Sequence, residues 1–229
     1  MNAMTPNMFT NRSAVYRQHN DAEYVEKAGG AIASHMNADS AEQVARAALL
    51  DLSLIPRQGF RGANAENYLL DAGFPVPVSP NQALFGKQGE MILRLSQKEF
   101  WVFEGLTAQA DGLTRLDQTS SPSADFYPLF CQDSHAWLML TGRHLADIMA
   151  KVCGVDLRSE LFPVGSIAQT SVARVNAIVV RHEVNSVPVF SILSDRSSAE
   201  YLWGALFDAT LEFGGEAVGL SALLMEAES

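Results

Sequence analysis

Hydrophobic positions fall into periodic runs only after residue 39. Ahead of that point the chain is rich in Met, Asn, Ser and Ala without a steady period, which predicts an irregular N-terminal arm over residues 1–39. Ser40 followed by Gln43 has the form of a capping box. It predicts a short helix with Val44, Ala47 and Ala48 as its apolar stripe, ending near Leu50. Asp51 to Gly62 reads as a strand that Pro56 breaks early. A helix from Ala63 to Ala72 follows, with Gly73 placed as its C′ residue.

This arrangement occurs twice. Gly62 precedes a helix with apolar Ala65, Tyr68, Leu69 and Ala72, and Gly142 precedes one with Leu145, Ile148, Met149 and Val152, every position 80 residues further on. Both sets have the i, i+3, i+4, i+7 spacing of a buried helical face. Both helices run to a glycine, Gly73 and Gly154, followed by apolar Phe74 and Val155. Behind the first copy come Met91 to Leu95 and Phe100 to Phe103 around the turn from Ser96 to Glu99. Behind the second come strands over Ile167 to Ala173, Ala177 to Arg181 and Val187 to Leu193. Asp195 then opens a helix with Leu202, Ala205, Leu206 and Ala209 on its buried face, stopped by Gly214 and Gly215. Each half reads as a split βαβ unit of ferredoxin-like type. The expectation is an α+β protein of two related modules, over 40–120 and 129–214, joined through 118–128, with a C-terminal tail over 215–229.

Composition narrows the classes. Hydrophobic content of 48% and charged content of 18% exclude wholesale disorder. With 16 basic against 26 acidic side chains and a net charge of −10, nucleic acid and anionic membrane surfaces are not expected partners. Two cysteines, Cys131 and Cys153, make no disulfide scaffold. No signal peptide opens the chain, and no apolar stretch has the length of a membrane helix, so a cytoplasmic location is expected.

Familiar catalytic signatures are missing: no phosphate-binding Gly-rich loop, no His-Glu-x-x-His, no Cys-x-x-Cys and no Gly-x-Ser-x-Gly elbow. One local set could ligate a metal. On an extended segment Cys131, Asp133 and His135 would share a face, with His144 or His182 as a distant fourth ligand. The plainer reading is a loop ahead of a strand over Ala136 to Leu140, and the expectation is no metal. Asp51 and Asp133 hold roughly equivalent places in the two copies, which suggests a shared turn-capping duty over a catalytic pair. Trp137 and Trp203 read as core. The unbroken run from Phe100 to Phe103 implies a strand covered on both faces, by another module or another protein. The stretch from Val218 to Met225 is very apolar for a tail.

Several segments carry a family resemblance. The run Asp133 to Leu157 (Asp-Ser-His-Ala-Trp-Leu-Met-Leu-Thr-Gly-Arg-His-Leu-Ala-Asp-Ile-Met-Ala-Lys-Val-Cys-Gly-Val-Asp-Leu), with Phe162 to Thr170 (Phe-Pro-Val-Gly-Ser-Ile-Ala-Gln-Thr), resembles the gamma subunit of heterotetrameric sarcosine oxidase. Ser96 to Phe103 and Asp195 to Trp203 resemble that family's turn-and-strand and its last helix. The wider superfamily is that of the glycine-cleavage T protein, a folate-dependent aminomethyltransferase, which the segment from Asp51 to Gly62 resembles. The likeness covers about residues 45–213.

The resemblance implies a T-protein-like fold and a place in a complex that oxidatively demethylates a small N-methyl amine, passing the one-carbon unit to tetrahydrofolate. It implies alpha, beta and delta-type partner subunits that hold the FAD, FMN, NAD and tetrahydrofolate, and no cofactor on this chain. The T protein's Asn-x-x-Gly…Asp-Asp stretch is missing between Leu84 and Phe103, and the Lys-Gly-Cys-Tyr motif of the related iron–sulfur-assembly protein is missing near Pro163. No catalytic residue carries over. The alternative is a stand-alone folate-binding transferase, with Trp101 or Phe103 stacked on a pterin ring. Apolar and aromatic residues in the arm (Met1, Met4, Met8, Phe9, Val15, Tyr16, Tyr24), and Leu220, Leu223 and Leu224 set among Glu216, Glu226 and Glu228 in the tail, predict that both ends pack on partner subunits. The competing expectation is that they fold back on their own modules.

Overall fold

The computed structural model describes residues 4–19, 21–107 and 110–225; Met1, Glu226 and Glu228 lie outside them. In chain order the elements are β1 (Glu23–Lys27), β2 (Gly30–His35), α1 (Ala41–Arg46), β3 (Ala48–Asp51), β4 (Arg57–Arg61), α2 (Ala65–Asp71) and β5 (Gln82–Phe85). They continue with β6 (Met91–Arg94), β7 (Glu99–Phe103), α3 (Gly112–Gln118), β8 (Tyr127–Leu129), α4 (Cys131–Ser134), β9 (His135–Thr141) and α5 (Leu145–Ala150). The last are β10 (Ile167–Val172), β11 (Val175–Val184), β12 (Val187–Asp195), α6 (Ala199–Leu211), β13 (Glu216–Ala217) and α7 (Leu220–Leu224).

The chain divides into two compact units. One takes Ile55–Ser134 with Gly165–Ile167. The other takes the chain up to Leu54, then His135–Val164, then the chain from Ala168 on. The boundary therefore falls at residues 134 and 135, not in the segment 118–128, and the modules are not the consecutive stretches read from sequence.

The Ile55–Ser134 unit has strands in the order β5-β6-β7-β4-β8. Strands β4, β6, β7 and β8, with α2 and α3 between them, give the antiparallel 4-1-3-2 order of a ferredoxin-like module. Alternation along β7 sends Phe100 and Val102 to the helices, where they pack with Phe60, Tyr68, Leu69 and Leu116. Buried Glu104 accepts from the backbone N–H groups of Gly105, Gly112 and Leu113 at 2.9–3.1 Å, placing a carboxylate on the first turn of α3.

The other unit has strands in the order β10-β11-β12-β9-β3-β13. β9, β11 and β12 hold the first three positions of the same module, but the fourth position, beside β9, is filled by β3 from earlier in the chain. The helix expected to reach Leu50 therefore stops at Arg46. Residues 47–50 are apolar and fully buried, a pattern that a strand covered on both faces satisfies. Ser40 does accept from Gln43 N, at 3.0 Å. The Gln43 amide does not return to Ser40; it donates to Ala47 O at 2.7 Å and Gly214 O at 2.9 Å.

The repeated turn is real in both units. Gly62 and Gly142 have φ of +137° and +101°. A Cβ at either would strike backbone, at Asp125 for Gly62 and at Arg46 for Gly142. Gly73 is left-handed at φ +80°, with Phe74 N bonded to Leu69 O as a helix stop requires. Gly154 is not left-handed, because α5 ends four residues earlier.

The arm is not irregular. β1 and β2 form a hairpin whose two turn residues, Ala28 and Gly29, both have positive φ, the geometry that follows strand twist. Val15 is fully buried in the core formed with Leu49, Leu140, Phe190 and Trp203. His19 is buried 3.9 Å from Asp51, with its ring edge-on to Trp203 at 5.1 Å. The tail also folds back. β13 runs parallel to β3, Gly219 N donates to Asp39 Oδ1 at 2.8 Å, and the hydroxyls of Ser34 and Ser221 meet at 2.9 Å. Among the described residues both ends thus fold back on their own unit through Val15, Leu220 and Leu223, while Met8, Val25 and Met225 stay exposed.

Two outcomes follow. Val15→Ala leaves a cavity in the core and lowers unfolding free energy by about 2 kcal/mol, read from denaturant midpoints; an unchanged midpoint would show that the arm is not docked. The second concerns pH. His182 is buried, its Nε2 2.8 Å from Ser191 Oγ, and burial pulls its pKa down to about 4. Below about 6.5 the unfolded chain takes up a proton that native His182 refuses. Stability therefore falls as pH drops from about 6.5 to 4, by about 3 kcal/mol from this group. His19, lowered by desolvation against the opposing charge of Asp51, adds in the same direction. Urea midpoints across that window should slope less in His182→Asn; an identical slope would contradict the assignment.

Candidate functional site

The end of the larger sheet forms a cleft of about 770 Å³. Its floor comes from β10 and β11, through Gln169, Thr170, Asn176 and Ile178. His135, the first residue of β9, stands in register with Asp195, the last residue of β12. Ser197 and Ser198 close the rim where the chain turns into α6. Hydrogen bonds from Ser197, first through its side chain and then through its backbone N–H, hold Asp195 below the usual carboxylate range, with His135 adding to the effect. An Asp195 that stays ionised accepts hydrogen bonds and is a poor general acid near neutral pH. The cleft suits a polar ligand held by amide, hydroxyl, imidazole and carboxylate groups. Of these residues only His135 stood out in the sequence as a possible ligand, and Asp195 only as the opening of a helix. The others are scattered polar positions on separate strands and carry no spacing signal.

The metal reading of Cys131, Asp133 and His135 loses its premise. Cys131–Ser134 is one helical turn, so alternate residues do not share a face, and His135 begins a strand in the other unit. Among the described residues no group of three or more His, Cys, Asp or Glu side chains is placed to hold a metal. Burial pushes the Cys131 thiol up to about 11. Asp51 has a local duty: its Oδ1 accepts from Ser53 N at 3.0 Å. Asp133, on the helical turn, has no equivalent place, so the pairing of the two aspartates does not hold.

Trp101 and Phe103 lie on the face of β7 opposite the helices, with ring centroids 6.4 Å apart. They are 5% and 0% exposed. Trp101 Nε1 donates to Glu99 Oε1 at 3.2 Å, and the Arg57 guanidinium sits over the Phe103 ring at 5.9 Å. Rings this enclosed leave no open face for a pterin, so these residues do not fit a folate-stacking role.

Residues 87–228, more than half of the chain, match the family model of the GCVT N-terminal domain. The chain belongs to that family. Among curated proteins no sequence match is found. Solved structures that share the fold include two that bear on function. One is the heterotetrameric sarcosine oxidase from Corynebacterium sp. U-96 in complex with pyrrole 2-carboxylate, with TM-score 0.63 and 20% identity, covering 89% of this chain and 96% of that one. The other is the glycine cleavage system aminomethyltransferase T from Bartonella henselae, with TM-score 0.69 and 17% identity, covering 92% of this chain and 60% of that one. The GCVT-family chain is thus α+β and T-protein-like, built from ferredoxin-like modules. Among its described residues no helix is long and apolar enough to cross a membrane.

The thiol geometry has a direct readout. At pH 8 native Cys131 should react with iodoacetamide at least about a hundredfold more slowly than free cysteine. Urea should abolish the difference. Rapid alkylation of the folded chain would overturn the buried placement.

Proposed function

We propose that this chain is a gamma-type subunit, with no active site of its own, of a sarcosine-oxidase-like complex. The complex would oxidatively demethylate a small N-methyl amine or amino acid and pass the one-carbon unit to tetrahydrofolate. Flavins, NAD and folate would sit in alpha, beta and delta-type partners, in the cytoplasm. The supporting observation is the nearly end-to-end overlap with the sarcosine oxidase chain, 96% of it, against 60% of the aminomethyltransferase chain. The enclosure of Trp101 and Phe103 adds to this, because these are the two rings that the sequence offered for stacking on a pterin. The higher TM-score to the aminomethyltransferase, 0.69, favours the alternative of a stand-alone folate-binding transferase.

Co-expression with alpha, beta and delta-type subunits decides the main reading. The chain should co-elute with them at equal stoichiometry, and the isolated chain should be colourless. A chain that stays apart from such partners would overturn it. Titration of the isolated chain with tetrahydrofolate, followed by tryptophan fluorescence, should show no saturable quenching. Saturation in the micromolar range would instead favour the transferase.

A further inference from the structure

In a chain of net charge −10, three arginines meet in one cleft of about 240 Å³. Arg143 follows Gly142 just ahead of α5, Arg158 lies in the loop after it, and Arg181 stands on β11; Ser159, Glu160 and Pro188 complete the wall. Like charges held together cost free energy unless an anion offsets them. Part of that offset is local. Asp156 takes Arg158 at 2.5–3.1 Å. Glu160 is held below its usual range, first by a backbone hydrogen bond and then by Ser159, with the charges of Arg158 and Arg181 adding to this.

The remaining two guanidiniums are not neutralised one for one. Arg181 donates to the carbonyl of Leu157 at 3.5 Å and lies over the Phe190 ring at 5.7 Å, and neither group carries negative charge. Arg143 is exposed, and its guanidinium has no partner among the described residues. Three cations thus line a concave site whose wall carries one carboxylate, Glu160, with a second, Asp156, held by Arg158.

We propose that this cleft binds a small oxyanion, a phosphate or carboxylate group, with Arg143 and Arg181 as the charged donors and the Ser159 hydroxyl beside them. A guanidinium presents paired N–H groups that match either oxyanion in a two-point contact. The volume suits a compact anion and not a whole nucleotide or folate, whose pockets run to several hundred Å³ or more. This site is separate from the His135–Asp195 cleft, shares no lining residue with it, and does not depend on the subunit reading.

Calorimetric titration of the full chain at constant ionic strength tests it, with pyrophosphate and malonate as separate probes. At least one should bind saturably at a single site, and the probe that binds names the class. Arg143→Gln, whose side chain makes no contact that the fold needs, should weaken binding about tenfold or more. Arg181→Gln should do the same, while Arg17→Gln, outside the cleft, should leave it unchanged. No saturable binding of either probe, or binding indifferent to Arg143→Gln, would overturn the proposal.

Discussion

The four-residue strand β3 is the piece on which the larger unit depends. It fills the place beside β9 and offers its other edge to β13, so both backbone edges are paired. Its side chains are buried on both faces. Helix α1 leads straight into it and is tied to the sheet where Thr141 Oγ1 donates to Val44 O at 2.7 Å. Asp51 at its end lies 3.9 Å from buried His19, and Val218 N donates to Leu49 O at 3.1 Å on the way to α7. Arm, tail and sheet all meet at this one short segment. Without it, β9 would present an open apolar edge, and β13 would have no strand to pair with.

Buried polar groups in both units serve local architecture. Arg57 bonds the carbonyls of Cys131 and Gln132, and Arg94 bonds that of Pro77 while reaching Glu66 at 3.1 Å. Trp137 Nε1 donates to Ser191 Oγ at 2.9 Å, and Ser191 in turn meets His182. Such groups are costly to bury without partners, and partnered they specify which strand lies beside which. Depressed by burial, His182 is neutral at physiological pH and takes its place as a hydrogen-bonding core residue. His135 with Asp195 lines one cleft of the larger unit, and Arg143, Arg158 and Arg181 line another.

What the sequence by itself determined is everything that rests on neighbours along the chain. The cap at Ser40, the glycine turns at Gly62 and Gly142, the amphipathic faces of α2, α5 and α6, and the stop at Gly73 all follow from spacing over three to seven residues. The ferredoxin-like class followed from their repetition, and the double-sided burial of Phe100 to Phe103 from an unbroken apolar run. Tertiary structure decided the rest. The small residues of Gly30 to Ser34 carry little periodic signal, so the hairpin became visible only through its docking. A run such as Ala47 to Leu50 suits a helix or a strand equally in isolation, and pairing with a strand about ninety residues away settled it. The arginine cleft gathers Arg143, Arg158 and Arg181 from a turn, a loop and a strand. Electrostatic convergence of that kind is a property of three-dimensional distance, and no spacing along the chain encodes it.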